Sequence, residues 1–175
     1  MFDPTIFDNL KVVLEGKIYD VDQEGKWLVI GREDLIDLAR FGRTFCMRVQ
    51  RPGEACTAAL TLASGLADFA AELRGLRLVG KEPGARLELS FELAGDYTAR
   101  AGEMGGRLAS IWGDAVIMRQ ERTIPVPPRI GAASAADEGM HRIVLTFRQP
   151  IDERHLGELG ALVMQTLDSL RLLGE

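Results

Sequence analysis

Asp20, Asp22 and Glu24, followed by Gly25 in the run DVDQEG, are spaced like the first half of a calcium loop, in which alternate oxygens turn inward around a hard cation. That pattern needs a bidentate glutamate at its twelfth position, and Gly31 stands there. The run therefore reads as a solvated turn between two strands. Gly102, Gly105 and Gly106 in GEMGGR lack the Lys-Ser/Thr of a P-loop and the GxGxxG order of a dinucleotide site, so they read as a flexible connection or an irregular helix start. His141 and His155 are the only histidines, with no Cys, Asp or Glu set at metal-ligand spacing and no nucleophile motif nearby. An acid–base site would have to draw on Asp20, Asp22, His141 and His155 brought together in three dimensions. No catalytic residue, metal or cofactor is assigned.

The clearest charge feature is the group Arg40, Arg43, Arg48 and Arg51, with no acidic residue from Ala39 to Gly53 in a chain that is acidic overall. Such a patch suits an acidic partner segment, a nucleotide phosphate or RNA. The competing expectation is that these arginines pair with Asp and Glu on neighbouring strands. No aromatic ladder accompanies them, which argues against single-stranded nucleic acid. These four are the candidate binding residues.

A net charge of −5 over 175 residues argues against a generic binder of nucleic acid or anionic membrane. The N-terminus MFDPTIFDNL has no basic region of the kind that opens a secretory signal. The longest apolar stretch, Ala58 to Ala67, is too short to span a bilayer, so a cytoplasmic location is expected. With Pro52-Gly53 as a tight hairpin loop, Val49 would pair with Cys56 and Cys46 with Ala59, leaving the two thiols on opposite faces and unable to bridge.

The element that must position everything else is the run Asp152 to Leu173. Leu156, Leu159, Val163, Leu167 and Leu170 form one stripe at helical spacing, Leu162 and Leu173 widen it, and Arg154, Glu158, Gln165 and Asp168 lie opposite. Asp152 caps this six-turn helix, and Gly174 stops it. Burying five such aliphatic side chains contributes about 8–15 kcal/mol before ordering entropy is subtracted.

Ahead of it, Pro4 to Asn9 reads as a short helix and Lys11 to Asp20 as a strand, with a second strand at Lys26 to Ile30. A short helix is expected at Glu33 to Phe41. A hairpin follows at Thr44 to Gln50 and Ala55 to Ala63, then a helix at Leu66 to Leu73. Leu76 to Val79 and Ala85 to Leu93 read as strands. Thr98 to Trp112 reads as a helix despite its glycines, Asp114 to Ile124 and His141 to Arg148 as strands, and 125–140 as a long mobile loop. Strand–strand–helix units are thus expected near 11–41, 44–74, 76–112 and 114–173.

The expected fold is a single two-layer α+β domain: a mainly antiparallel sheet of successive hairpins, with helices on one face and the long C-terminal helix as its cover. With no reactive constellation in view, the first functional expectation is a non-catalytic interaction or regulatory module, self-associating or binding a protein partner through a sheet edge or the 125–140 loop. The second is a binder of a small apolar ligand held between sheet and last helix, and the third an enzyme using the acid–base residues above.

Overall fold

The computed structural model describes residues 5–74, 84–124 and 139–175. Six antiparallel strands form one sheet: β1 (Leu28–Asp37), β2 (Gly42–Gln50), β3 (Thr57–Ser64), β4 (Arg86–Ala94), β5 (Val116–Thr123) and β6 (Met140–Phe147), in the order β1-β2-β3-β4-β6-β5. Helices α1 (Thr5–Gln23), α3 (Ala101–Trp112) and α4 (Leu159–Gly174) share its core, and α2 (Leu66–Arg74) follows β3. The expected two-layer α+β architecture is therefore the one observed.

Its first quarter differs from the sequence reading. One helix of 19 residues replaces the short helix and the strand expected over 11–20. The reason is a row of apolar residues three and four apart, Phe7, Leu10, Leu14, Ile18 and Val21, all buried. Val12, the first of the alternating residues Val12, Leu14, Gly16 and Ile18 that suggested a strand, is instead 66% exposed. Gly25 at φ 70 ends the helix, with its N–H donating to the Asp22 carbonyl and the Lys26 N–H to that of Val21. The run DVDQEG is thus a helix end, not a turn between strands.

The helix expected at Glu33 to Phe41 is the second half of β1, a continuous ten-residue strand. Leu35 and Leu38 make no buried face there, and alternation places Arg32 and Asp34 toward α1 instead. A bulge between Val29 and Gly31 shifts the register against β2.

The β2–β3 hairpin is present, but Val49 pairs with Ala58 and Cys46 with Thr61, so the connection is longer than a Pro-Gly loop. Gly53 at φ 78 makes its turn, and the Gln50 amide ties the loop by donating to the Glu54 carbonyl. Cys56 packs into the core and Cys46 sits on the opposite face; both are free. Burial pushes the Cys56 thiol up to about 12, with the nearby Glu54 charge adding to the shift.

Strand–strand–helix order occurs over 42–74 and 116–174, whereas 5–37 runs helix then strand. The strand expected at Leu76 to Val79 and nearly all of the 125–140 loop lie outside the described residues.

The last helix follows the expected stripe. Leu159, Leu162, Val163, Leu167, Leu170 and Leu173 are buried, while Arg154, Glu158, Gln165 and Asp168 face out. Its first stretch, Glu153–Glu158, is a tighter 3-10 helix capped by Asp152, whose side chain accepts the Arg154 N–H. Thr166 and Ser169 also face inward and return their hydroxyls to the carbonyls of Leu162 and Gln165; Ser169 Oγ further accepts the Trp112 indole N–H at 3.0 Å. That bond joins α3 to α4. Gly105 explains one of the glycines in α3: a Cβ there would stand 2.8 Å from the Gln120 amide nitrogen of β5.

Candidate functional site

Strand alternation disperses the four candidate arginines. Arg43 points to the helix side of β2, Arg48 to the opposite face, Arg51 lies past the strand end and Arg40 in the β1–β2 turn. Arg43 holds Asp34 through both its Nε (2.9 Å) and Nη2 (3.0 Å), reaches Asp8 with Nη1 at 2.7 Å, and stacks 5.1 Å over the Phe7 ring. Arg48 pairs with Glu33 at 3.0 Å and Arg51 with Glu54. Arg40 is exposed, and its backbone N–H donates to Asp37. Three of the four guanidiniums are thus already engaged by carboxylates.

No hydrogen bond or ion pair among the described residues joins any two of Asp20, Asp22, His141 and His155. Asp22 accepts the Val29 N–H at 3.0 Å, and Asp20 lies 3.7 Å from the Lys17 ammonium. His155 Nδ1 stands 3.1 Å from the Asp152 N–H, closing the cap at the start of the last helix. The Arg154 guanidinium and N–H hold the Asp152 carboxyl below the usual range. His141 is only 3% exposed. Gln120 donates its amide to the Ala101 carbonyl at 2.9 Å, so its Oε1, 2.9 Å from His141 Nε2, must accept. That fixes the hydrogen on Nε2 and leaves Nδ1 a buried acceptor with no hydrogen-bond partner among the described residues. Burial pulls this imidazole's pKa down. Among the described residues no three His, Cys, Asp or Glu side chains gather to hold a metal ion.

Two other places have the geometry to bind. The first is the outer flank of β1. Asp8, Lys11 and Glu15, one stripe of α1, meet Arg43, Asp34 and Arg32 in a ladder of ion pairs that closes the helix onto the edge strand. The Arg43 hydrogen bonds, helped by Lys11, push the Asp34 carboxyl down to about 2 against the opposing effect of burial. Outside this ladder, Leu28, Ile30, Leu35, Ile36, Leu38 and Phe41 are about half exposed or more, Leu38 reaching 78%. Phe41 sits at φ 51, a region costly for a bulky side chain, and holds its ring out at the hairpin tip. The run LIDL at 35–38 was the sequence signal for this edge, masked by its helix-like spacing.

The second is a cleft of about 620 Å³ where the β5–β6 end of the sheet meets the start of α4. Glu158, Ala161, Leu162 and Gln165, one helical stripe, form one wall; Phe147, Pro150 and Ile151 belong to the other. Trp112 stands edge-on to Phe147, with ring centroids 5.8 Å apart. Pro150 ends the strand, and Ile151 is fixed by paired hydrogen bonds with Ala85, so the apolar wall stands on held backbone.

No helix among the described residues is long and apolar enough to cross a membrane. No protein-family model, curated protein or solved structure matches this chain.

Proposed function

We propose that the chain is a non-catalytic protein-interaction module that takes an extended partner segment along the outer edge of β1. The supporting observation is the cluster of exposed apolar side chains over 28–41 on a ten-residue strand at the end of the sheet. Edge strands are templates for a further strand, and proteins guard them with bulges and inward-facing charges. β1 has both devices, in the bulge after Val29 and in the inward-facing Arg32 and Asp34. From Leu35 on, the exposed side chains of Leu35, Ile36 and, just past the strand end, Leu38 are apolar instead. A partner strand would draw main-chain hydrogen bonds from the edge and selectivity from these side chains.

The test is selection of displayed random peptides on the wild-type protein, counter-selected on Ile36→Lys/Leu38→Lys. Recovered peptides should be extended and apolar, should protect the β1 amides from hydrogen exchange, and should lose binding in the double variant with its melting temperature unchanged. If sedimentation gives a dimer that the same variant dissolves, the segment is the β1 of a second copy. Peptides that bind both proteins equally would remove the reading.

A second reading, a binder of small apolar ligands, is favoured by the cleft beside α4, whose volume falls within the range of about 300–1,000 Å³ typical of ligand sites.

A further inference from the structure

We infer that the cleft beside α4 takes a small amphiphilic cation: an alkyl or aryl body lying against Phe147 and Leu162, with an ammonium head at the acidic rim. This rests on the ligand-binding reading of that cleft and adds the chemistry of the ligand. The rim sets the sign of the head group. Asp114 and Glu158 line the cleft, and neither carboxylate forms an ion pair among the described residues. Arg148 is the one guanidinium in the lining, and its Nε donates to the Asp114 carbonyl at 2.9 Å. Two unpaired carboxylates against one guanidinium leave the rim negative beside an apolar wall. An ammonium at that place gains charge-assisted hydrogen bonds, whereas a carboxylate meets like charge as it loses water.

Two hydrogen-bonded groups hold the wall, one at the helix start, where His155 also lines the cleft, and one behind it. The Asp152–His155 cap fixes the start of the last helix, and the Ser169–Trp112 bond locks the indole behind Phe147. Trp112 therefore reports on occupancy without lining the cleft.

The experiment uses the full chain carrying 5-fluorotryptophan at its two tryptophans, with the Trp112 fluorine resonance assigned through Trp112→Phe. It is titrated with n-octylammonium, 1-octanol and octanoate. Octylammonium should shift the Trp112 resonance saturably and leave Trp27 unmoved, with a midpoint about tenfold below that of octanol, equivalent to about 1.4 kcal/mol. Octanoate should bind more weakly than octanol. Ala161→Phe, which fills the cleft from an exposed position, should abolish all three shifts. Asp114→Asn/Glu158→Gln should bring octylammonium to the midpoint of octanol without changing the latter. No saturable shift with any probe, or shifts that persist in Ala161→Phe, would overturn both the site and the reading beneath it. Octanol or octanoate binding as well as octylammonium would overturn the cationic head group alone.

Discussion

Helices α1 and α4 lie side by side in the same core, yet they are fastened by different forces. Leucine and valine hold α4, helped by two hydroxyls that satisfy themselves on its own backbone. A comparable apolar row holds α1, with the added ladder Asp8–Arg43, Lys11–Asp34 and Glu15–Arg32 toward the edge strand. Contacts of the first kind carry no charge for salt to screen or protons to neutralise; the second kind depends on both. The α1 flank is therefore tied to the sheet by ion pairs that salt can screen, whereas α4 is held mainly by apolar burial.

The contrast breaks first at Leu167. Leu167→Ala should cost about 2–5 kcal/mol in chemical denaturation, with the same loss at low and high salt. A salt-dependent loss would mean that the two helices are not separately fastened. Asp34→Asn should cost about 1.5–3 kcal/mol, because Lys11 loses its charged partner and Arg43 keeps only Asp8. The sign with pH follows from a folded value near 2 lying below the ordinary 3.8: the stabilisation is complete above 3.8 and lost as pH falls through about 2. Melting curves of wild type and Asp34→Asn should converge over that interval.

His141 sharpens the contrast toward the opposite end of the sheet, on the same helix-bearing face. Its folded value is lowered from 6.5, so its contribution is complete above 6.5 and lost as pH falls through the folded value. Wild type should lose melting temperature there, by less than either substitution above, and His141→Gln should flatten that limb. Acid then loosens the α3 side first and the α1 side only at much lower pH. The smallest effect is expected from Leu38→Lys, within about 0.5 kcal/mol, since the side chain is already in solvent. A larger loss would mean that this edge is structural.

How much of this could be read from the amino acids follows the same divide. The α4 stripe was legible because most inward positions are aliphatic, while Glu158, Gln165 and Asp168 lie on the outward side. The strands from β2 to β6, though not all of their partners, were legible for a similar reason, as in Leu87, Leu89, Phe91 and Leu93 of β4. Around β1 the pattern reverses. Arg32 and Asp34 face inward to meet charges on α1, while Leu35 and Leu38 face out, so hydrophobic periodicity misplaced both α1 and β1. Binding places are where such reversals are expected. The cleft beside α4 left no local signal, because its walls meet only when Phe147 and Leu162 are brought together by the fold. The arginine cluster was legible as a run, but alternation across the strand divides it between two faces.

The adjacency of α1 and α4 also sets an order of events during synthesis. Phe7, Leu10, Leu14, Ile18 and Val21 leave the ribosome well before the helix that completes their enclosure. At about 5–20 residues per second, that row waits roughly 7–30 s for its neighbour. Nascent chains that stall before Leu159 should expose it and recruit holdase chaperones.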